Sequence, residues 1–516
     1  MSGKREFLKH TAVFGIGSII GQLVPFILFP LYTNYLTASE YGTLDIIQQA
    51  SDIINTVFLI GGIRLAVMTF FKQAENEEAR KKIAATFSIL LWIVIAAAVG
   101  TAVLFADYLE LFLKTGNTRL LSFGLAVSLL EALVAVPLTL TQARLESLRF
   151  VLTNIAMQTT RLCLCIYFVA VLRWNVWGVL FAQCIVCSVF AVLLTYRELR
   201  IGSVYPDISK WKEILRFVMP LVPNGIIAFF YGMMGRFFMI HSGYYKTETE
   251  SMAAIGMFAV AGRLFALARC AGTAPLQTVW NVEKYDIYAN RPDAGYVFGN
   301  FFFRLLCIQV FAGFLLSVFA AECINIVCGD SYRGAAALIP LYAVSSCQAL
   351  FTAYTTSTFF ITRHTHYTLY CNVVALAASA VFMQMFVPVW GMWGAAAAVL
   401  PAHCVYGLVA YIMSQRCFRI RYPFRKILLL AAVTLFCYGL SLLCGSGFDI
   451  SETYRHLSKW ERVVSIWERI QWLPVLEKSG IVLLWGIIVW FSGILSDDDK
   501  QMIFRILRKL RSRLRK

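Results

Sequence analysis

Charged residues are scarce in this sequence. They make up 15% of 516 residues, and the longest polar interval, about residue 445 to 480, is too short for a domain with its own core. A separate soluble domain is therefore excluded. Hydrophobic residues make up 59% of the chain and recur in runs of about 20 residues, the length that crosses a membrane. These runs are continuous and do not alternate with polar residues, which argues against a β-barrel. We expect an all-α polytopic membrane protein.

Charged and turn-forming residues divide the chain into about 14 predicted transmembrane helices. Their ranges are 11–36, 44–71, 83–105, 120–141, 151–172, 176–195, 214–240, 252–274, 297–320, 335–360, 367–387, 392–413, 427–445 and 480–496. The first run follows "KREFLKH" and is too long for the apolar part of a signal peptide, so we expect it to be retained.

Acidic residues are scarcer than basic ones, with 29 Asp and Glu against 46 Lys and Arg, and the formal net charge is +17. Most basic residues outside the predicted helices fall in the loops on the side that both termini share. Because loops rich in Lys and Arg stay in the cytoplasm, we expect both termini to be cytoplasmic. This distribution accounts for the charge, so no nucleic-acid partner is expected.

Two segments are predicted to lie on the membrane surface. Residues 497–516 form a basic amphipathic cytoplasmic tail, suited to contact with anionic membrane lipids. The segment "SKWERVVSIWERIQW" begins with Ser458 and Glu461 at capping-box spacing and contains three tryptophans. It fits a helix in the outer interface or a solvated loop.

The 14 cysteines lie mostly inside the predicted helices. Cys184 and Cys187 form a CxxC motif without a second pair or a nearby histidine, whereas structural zinc needs four ligands. We expect reduced cysteines, no metal and no cofactor.

The two halves of the chain share landmarks. "GQLVPFILFPLYTNYL" and "FVMPLVPNGIIAFFYGMMGRFFM" both contain Leu-Val-Pro, ending at Pro25 and Pro223, and "GGIRLA" and "AGRLFA" place Arg64 and Arg263 after glycine. Both landmarks recur after about 200 residues, which indicates an internal repeat. We expect two six-helix bundles, residues 1–200 and 201–416, in a pseudo-twofold arrangement around a central cleft. Two additional helices at 417–496 and the tail at 497–516 follow.

Helix-breaking residues mark the first helix of each predicted bundle. A membrane helix tolerates proline where neighbours or a water-filled cavity satisfy the freed carbonyls. Kinks in helices that line the cleft are therefore predicted at Pro25, Pro30, Pro220 and Pro223. For Pro220 and Pro223 an alternative is a place in the first turn of a helix, where proline costs little.

Charged side chains inside membrane helices are costly and normally face protein or water. Arg161 shares one helical face with Asn154 and Gln158. The surplus of arginine over carboxylates implies an anionic substrate, and arginine binds phosphate by bidentate hydrogen bonds. The candidate substrate-binding residues are Arg64, Arg161, Arg263, Arg269, Asn154 and Gln158.

Two carboxylates, Asp52 and Glu131, are the candidates for ion coupling or for a counter-ion role. The alternative is structural: Glu131 pairs with Arg161 or Arg64 and holds helices together. In the same alternative, Arg236 and Arg304 extend their charged ends to the membrane interfaces.

Four segments together resemble bacterial oligosaccharide flippases of the Wzx type, in the multidrug/oligosaccharidyl-lipid/polysaccharide (MOP) exporter superfamily. They are "GQLVPFILFPLYTNYLTASEYG", "FVMPLVPNGII", "CGDSYRGAAALIP" and "PVWGMWGAAAAVLPA", and the resemblance covers about the whole chain. It implies alternating access and export of undecaprenyl-pyrophosphate-linked oligosaccharide repeat units across the bacterial cytoplasmic membrane, for a surface polysaccharide. A polysaccharide polymerase and glycosyltransferases are the implied candidate partners. Similar lipid II flippases have arginines in the central cavity and two extra helices that form a lipid groove.

The resemblance and the residues together predict a pyrophosphate held by Arg64, Arg161 and Arg263, with the polyprenyl tail in lipid beside the last two helices. Two alternatives remain. A multidrug cation antiporter of the same superfamily would favour an acidic cavity. A polytopic polysaccharide polymerase or ligase would want catalytic residues in a large outer loop, for which residues 446–479 are the candidate. Few carboxylates lie in the outer halves of the helices, which leaves coupling to protons or sodium open.

Overall fold

The computed structural model describes residues 27–57, 63, 66–67, 70–71, 76–144, 146–201, 211–219, 222–362, 364, 366–444, 471–494 and 500–501. Within these ranges almost every residue outside the short connections is helical, and there is no β-strand. The predicted all-α class is confirmed. Predictions that concern Arg64, Pro25, Pro220, residues 445–470 and the tail beyond residue 501 lie outside the described residues.

The helices before residue 202 are α1 (27–35), α2 (Ala38–Val57), α3 (Glu77–Leu104), α4 (Ala106–Leu113), α5 (Thr118–Ala143), α6 (Ser147–Cys165) and α7 (Asn175–Ile201). Three of these helices, α3, α5 and α7, follow predicted membrane segments closely, whereas the short α4 has no predicted counterpart. The last turns of the α6 segment are a π-helix, Ile166–Val171.

The helices after residue 210 are α8 (Trp211–Val218), α9 (Val222–His241), α10 (Glu248–Gly272), α11 (Ala274–Asn290), α12 (Ala294–Val318), α13 (Ala320–Val327), α14 (Ile339–Ile361), α15 (His366–Cys417), α16 (Phe424–Ser441) and α17 (Trp472–Phe491). A 3₁₀-helix, Asp330–Leu338, precedes α14. The predicted segment 214–240 is thus divided between α8 and α9.

In the described part of the chain, nine helices are long and apolar enough to cross a membrane. One of them, α15, has 52 residues and contains Gly391 with φ 55° and ψ −128°, so two helices meet there. Glycine accepts this left-handed conformation because it has no Cβ. The break lies between the predicted segments 367–387 and 392–413. The protein is therefore a multi-pass membrane protein, as predicted.

Side-chain caps fix where several helices begin. Thr37 and Glu40 form a capping box at the start of α2, with the Thr37 amide donating to Glu40 over 2.8 Å and the Glu40 amide donating to the Thr37 hydroxyl over 3.3 Å. Asn76 and Asn117 accept from the amides of the third residues after them, at the starts of α3 and α5. The boundaries of these helices are therefore set by local chemistry.

The chain forms two compact units, Met1–Ala259 with Asn372–Val399, and Val260–Cys371 with Leu400–Lys516. These units do not coincide with the predicted bundles at 1–200 and 201–416, whose boundaries stay a prediction. In the first unit, α5 packs against α2, α3 and α7. In the second, an aromatic core surrounds Trp280, Phe298 and Tyr354, and α17 packs through Trp485 against α12 and α16.

Two glycines bring α2 and the first half of α10 into backbone contact within the first unit. A Cβ on Gly42 would lie 1.9 Å from the carbonyl oxygen of Met252, and a Cβ on Gly256 would lie 1.9 Å from that of Ala38. No real Cβ approaches an atom so closely, so any other residue at either position must separate the two helices.

Candidate functional site

Three polar side chains meet between helices α5, α6 and α7 of the first unit. Arg161 Nη2 donates a hydrogen bond of 3.2 Å to Gln183 Oε1, and Gln183 Nε2 donates one of 2.7 Å to Glu131 Oε2. Arg161 Nη1 lies 3.7 Å from Glu131 Oε1, which makes a loose ion pair. The three residues form a triangle in which the amide of Gln183 makes the two shorter contacts.

The triangle is buried on one side and open on the other. Gln183 is only 3% exposed, whereas the side chains of Arg161 and Glu131 are 19% and 48% exposed. The buried Nε of Arg161 has no hydrogen-bond partner among the described residues. The arrangement therefore offers a guanidinium and a carboxylate at a surface of the unit, with part of the guanidinium's hydrogen-bonding capacity unused.

The pairing of Glu131 with Arg161 agrees with the structural alternative considered from the sequence. Its looseness leaves room for a second role, because one contact of 3.7 Å does not saturate a guanidinium with five N–H donors. Gln183 was not predicted as part of this site. A polar residue in an apolar run indicates a buried contact, but the periodicity of α7 cannot identify the partners of Gln183 on α5 and α6.

Asn154 and Gln158 lie on the same helix as Arg161 and are half-buried. Neither side chain hydrogen-bonds to another described residue, so both keep polar groups available. Asp52 is exposed on α2. Arg263 and Arg269 lie in the part of α10 that belongs to the second unit, and both are exposed. A joint site of these residues stays a prediction.

Arg236, which the structural alternative directs to a membrane interface, has its partner inside the protein. Its Nε donates a hydrogen bond of 2.6 Å to Asp45 Oδ2, and the two side chains are 13% and 5% exposed. Its Nη1 donates to the carbonyl of Gly232, and its guanidinium lies over the ring of Phe258. Asp45 neutralises the charge of Arg236 inside the protein, so contact with lipid headgroups would not stabilise Arg236 further.

The two described prolines among the predicted kink sites differ in position. Pro223 is the second residue of α9, as the first-turn alternative expects. Pro30 lies inside α1, where the Asn34 amide donates a 2.8 Å hydrogen bond to the Pro30 carbonyl and the Thr33 hydroxyl donates a 3.0 Å bond to the Phe29 carbonyl. Side chains of Thr33 and Asn34 therefore hydrogen-bond to the backbone beside Pro30, whereas the carbonyl that Pro30 leaves without an amide donor, that of residue 26, lies outside the described residues.

A second set of charges, missed from the sequence, joins the ends of α5, α6 and α7. Arg144 pairs with the buried Glu198 at 2.7 Å, and Arg197 donates a 2.6 Å hydrogen bond to Glu146, which also accepts from Arg149. Burial raises the pKa of Glu146, but the hydrogen bonds and charges of Arg197 and Arg149 outweigh it and hold that pKa below its usual value. These ion pairs connect the ends of α5, α6 and α7, the helices on which Glu131, Arg161 and Gln183 lie.

Comparison with known proteins identifies the family of this chain. The model of the polysaccharide biosynthesis protein family matches residues 7–280, which is more than half of the chain. The apolar helices define a multi-pass membrane protein. More particularly, the chain belongs to the polysaccharide biosynthesis protein family. No curated protein matches it.

Solved structures share the fold at low sequence identity. The lipid II flippase MurJ in an inward closed conformation is 12% identical, with a TM-score of 0.70 over 94% of this chain and 100% of that chain. An inward-facing MATE family multidrug transporter of the MOP superfamily is 14% identical, with a TM-score of 0.62 over 77% of this chain and 93% of that one. The Vibrio cholerae MATE transporter VcmN in a bent form is 14% identical, with a TM-score of 0.55 over 81% and 98%. These likenesses show that the chain shares the fold of these three proteins.

Proposed function

We propose that this protein moves an undecaprenyl-pyrophosphate-linked oligosaccharide across the bacterial cytoplasmic membrane, for the synthesis of a surface polysaccharide. The observation that carries the proposal is Arg161, a cation inside a membrane helix whose ion pair is incomplete. The family and the fold shared with the lipid II flippase MurJ support the same class of substrate. In this proposal the protein is a transporter and not an enzyme.

Arg161 has the chemistry that a pyrophosphate requires. Its Nη1 lies 3.7 Å from Glu131, whereas charge-assisted hydrogen bonds measure about 2.7–2.9 Å. A phosphate oxygen that approaches Nη1 therefore gains a stronger hydrogen bond than the carboxylate makes there. Asn154 and Gln158 extend the site along α6 with neutral donors and acceptors. Further cations for the same substrate are Arg64, Arg263 and Arg269.

Transport follows alternating access between two bundles, residues 1–200 and 201–416. The polyprenyl tail stays in lipid beside α16 and α17, so that only the pyrophosphate and sugars pass through the protein. The helices that bend carry Pro25, Pro30, Pro220 and Pro223. Asp52 and Glu131 are the coupling or counter-ion residues. Both termini face the cytoplasm, where glycosyltransferases would deliver the substrate; the polymerase would receive it outside.

A multidrug cation transporter is the second candidate. It is favoured by the MATE transporters that share the fold and by the exposure of the carboxylates of Asp52 and Glu131. A lipophilic cation would bind these carboxylates, and Arg161 would oppose it. The two candidates therefore require opposite effects of removing Arg161.

Reconstitution into liposomes tests the proposal. The pyrophosphate-linked repeat unit from the host strain is supplied on one leaflet, and its appearance on the other is measured by oxidation of its sugars with an impermeant reagent. The wild type should translocate the glycolipid and not tetraphenylphosphonium, a lipophilic cation. Arg161→Ala should lose glycolipid translocation. Translocation of the cation alone, increased by Arg161→Ala, would contradict the proposal.

The matched control is Arg333→Ala. Arg333 also forms an ion pair with a carboxylate, Asp330, but in the connection before α14 and at the surface. Its loss removes one cation and one ion pair without touching the triangle. We expect Arg333→Ala to translocate the glycolipid like the wild type.

A further inference from the structure

Gln183 occupies an unusual place between two opposite charges. Its amide nitrogen donates to Glu131 over 2.7 Å and its amide oxygen accepts from Arg161 over 3.2 Å, while the two charged groups remain 3.7 Å apart. Gln183 is almost completely buried on α7, and both ends of its amide are bonded, so its orientation is fixed.

Without such a spacer, a guanidinium and a carboxylate inside a membrane form a short bidentate pair. That pair would use the same N–H groups that a phosphate requires. Here Gln183 uses one oxygen of Glu131 and one nitrogen of Arg161, so neither group can turn fully toward the other without breaking a hydrogen bond. The amide does not titrate, so this restraint persists whatever the protonation state of Glu131.

We infer that Gln183 is a positioning residue that keeps Arg161 from closing onto Glu131, so that the guanidinium remains able to bind the pyrophosphate of the substrate. The inference rests on the proposed function. It assigns the buried amide a role in substrate affinity, whereas a purely structural amide would contribute only to the stability of the packing of α5, α6 and α7.

Removal of the amide has a defined consequence. In Gln183→Leu, Arg161 and Glu131 form the short pair, and a pyrophosphate must displace the carboxylate before it binds. We expect the affinity for an isoprenyl pyrophosphate to fall about tenfold or more. Glu131→Gln in the Gln183→Leu background removes the competing charge and should restore most of the affinity, although the double variant has lost more native hydrogen bonds than the single one.

The experiment measures binding of farnesyl pyrophosphate to purified full-length protein in nanodiscs, with farnesol as the probe that lacks the anion. Thermal unfolding verifies that each variant is folded. Gln183→Glu, which keeps the side-chain shape, is the second variant; its carboxyl would lie against both Arg161 and Glu131. At a pH high enough to ionise both carboxyl groups, it should weaken binding at least as much as leucine. Farnesol binding should be the same in all variants.

The outcomes separate the inference from the proposed function. Gln183→Leu and Gln183→Glu that bind farnesyl pyrophosphate as tightly as the wild type, while Arg161→Ala loses binding, would overturn the role of Gln183 and leave the proposed function standing. The role of Gln183 would also be overturned by a double variant that binds no better than Gln183→Leu. Unchanged binding by Arg161→Ala would overturn the proposed site itself.

Discussion

Replacement of Arg161 by alanine distinguishes substrate binding from helix packing. The change leaves Gln183 Oε1 and Glu131 Oε1 without their cationic neighbour. Because the Glu131 side chain is 48% exposed, loss of the ion pair itself should cost only about 0–1 kcal/mol of stability. Gln183 is 3% exposed, so the loss of the donor to its Oε1 should cost about 1–3 kcal/mol more. A pyrophosphate bound by the same guanidinium in a partly dehydrated cleft would lose about 1.5–3 kcal/mol. The rate of transport per folded protein should therefore fall about tenfold or more, beyond any loss of folded protein.

Two further variants sharpen this prediction. Arg161→Lys keeps the charge but loses the planar fork, so transport should recover only in part. Arg161→Ala combined with Glu131→Ala removes both members of the loose pair. If Arg161 serves only to neutralise Glu131, the double variant should recover relative to Arg161→Ala, because an unpaired charge is what harms the single variant. If Arg161 binds substrate, the double variant should remain slow.

The assay is the initial rate of glycolipid translocation in liposomes, divided by the amount of folded protein. If the proposed function holds, the surface polysaccharide of cells that carry each variant gives an independent measure. Arg161→Ala with normal transport at normal abundance would refute the cationic site. Full recovery in the double variant would refute substrate binding by Arg161 and leave the structural pair as its role.

Three other predictions concern packing, pH and topology. Gly42→Ala should destabilise the protein by about 1–3 kcal/mol, because its Cβ would lie 1.9 Å from the carbonyl oxygen of the facing helix. Gly100→Ala, whose Cβ would meet nothing within 4 Å, is the control, and equal melting temperatures for both would contradict the packing. The pKa of Glu146 is held below its usual 4.5, so its stabilising effect should be fully present above pH 4.5 and lost as the pH falls through the lowered value. The difference in melting temperature between wild type and Glu146→Gln should accordingly vanish in acid. A difference that does not depend on pH would contradict the lowered pKa of Glu146. Reporters after Lys516 and near Lys82 should both read cytoplasmic, and a periplasmic signal from either would overturn the predicted topology.

The helices could be predicted from the sequence because each requires an apolar run of sufficient length. The predicted segments 83–105, 120–141 and 176–195 correspond to α3, α5 and α7 within a few residues at most ends. The predicted segments 367–387 and 392–413 leave a gap of four residues, and the break at Gly391 falls within it. Length, composition and turn chemistry are local properties, and they determine where a membrane helix begins and ends.

The site could be predicted only in part, because its contacts join residues that are distant in the chain. Gln183 and Glu131 are 52 positions apart, and Arg236 and Asp45 are 191 apart. Helical periodicity identified the face that carries Arg161 but not how that face is turned toward α5 and α7. The partner of Arg236 was missed for the same reason. From the sequence alone, an arginine near the end of a helix suits a position at the membrane interface, and its partner on another helix is not visible.

Two of the ion pairs within the first unit differ in a way that bears on the proposed transport. Asp45 and Arg236 form a 2.6 Å hydrogen-bonded pair that joins α2 to α9, whereas Arg161 and Glu131 remain 3.7 Å apart. In the proposed transport cycle, α2 belongs to one predicted bundle and α9 to the other. Separation of the two bundles at these helices would therefore break the ion pair between Asp45 and Arg236. A substrate promotes that step only by binding the opened state more strongly than the closed one. In the proposed function, a pyrophosphate would bind Arg161, whose contact with Glu131 is long, and would not bind Arg236, whose guanidinium already makes a short hydrogen bond to Asp45. Substrate at Arg161 would then offset the cost of separating Asp45 from Arg236, and the empty protein should exchange between states more slowly than the loaded one.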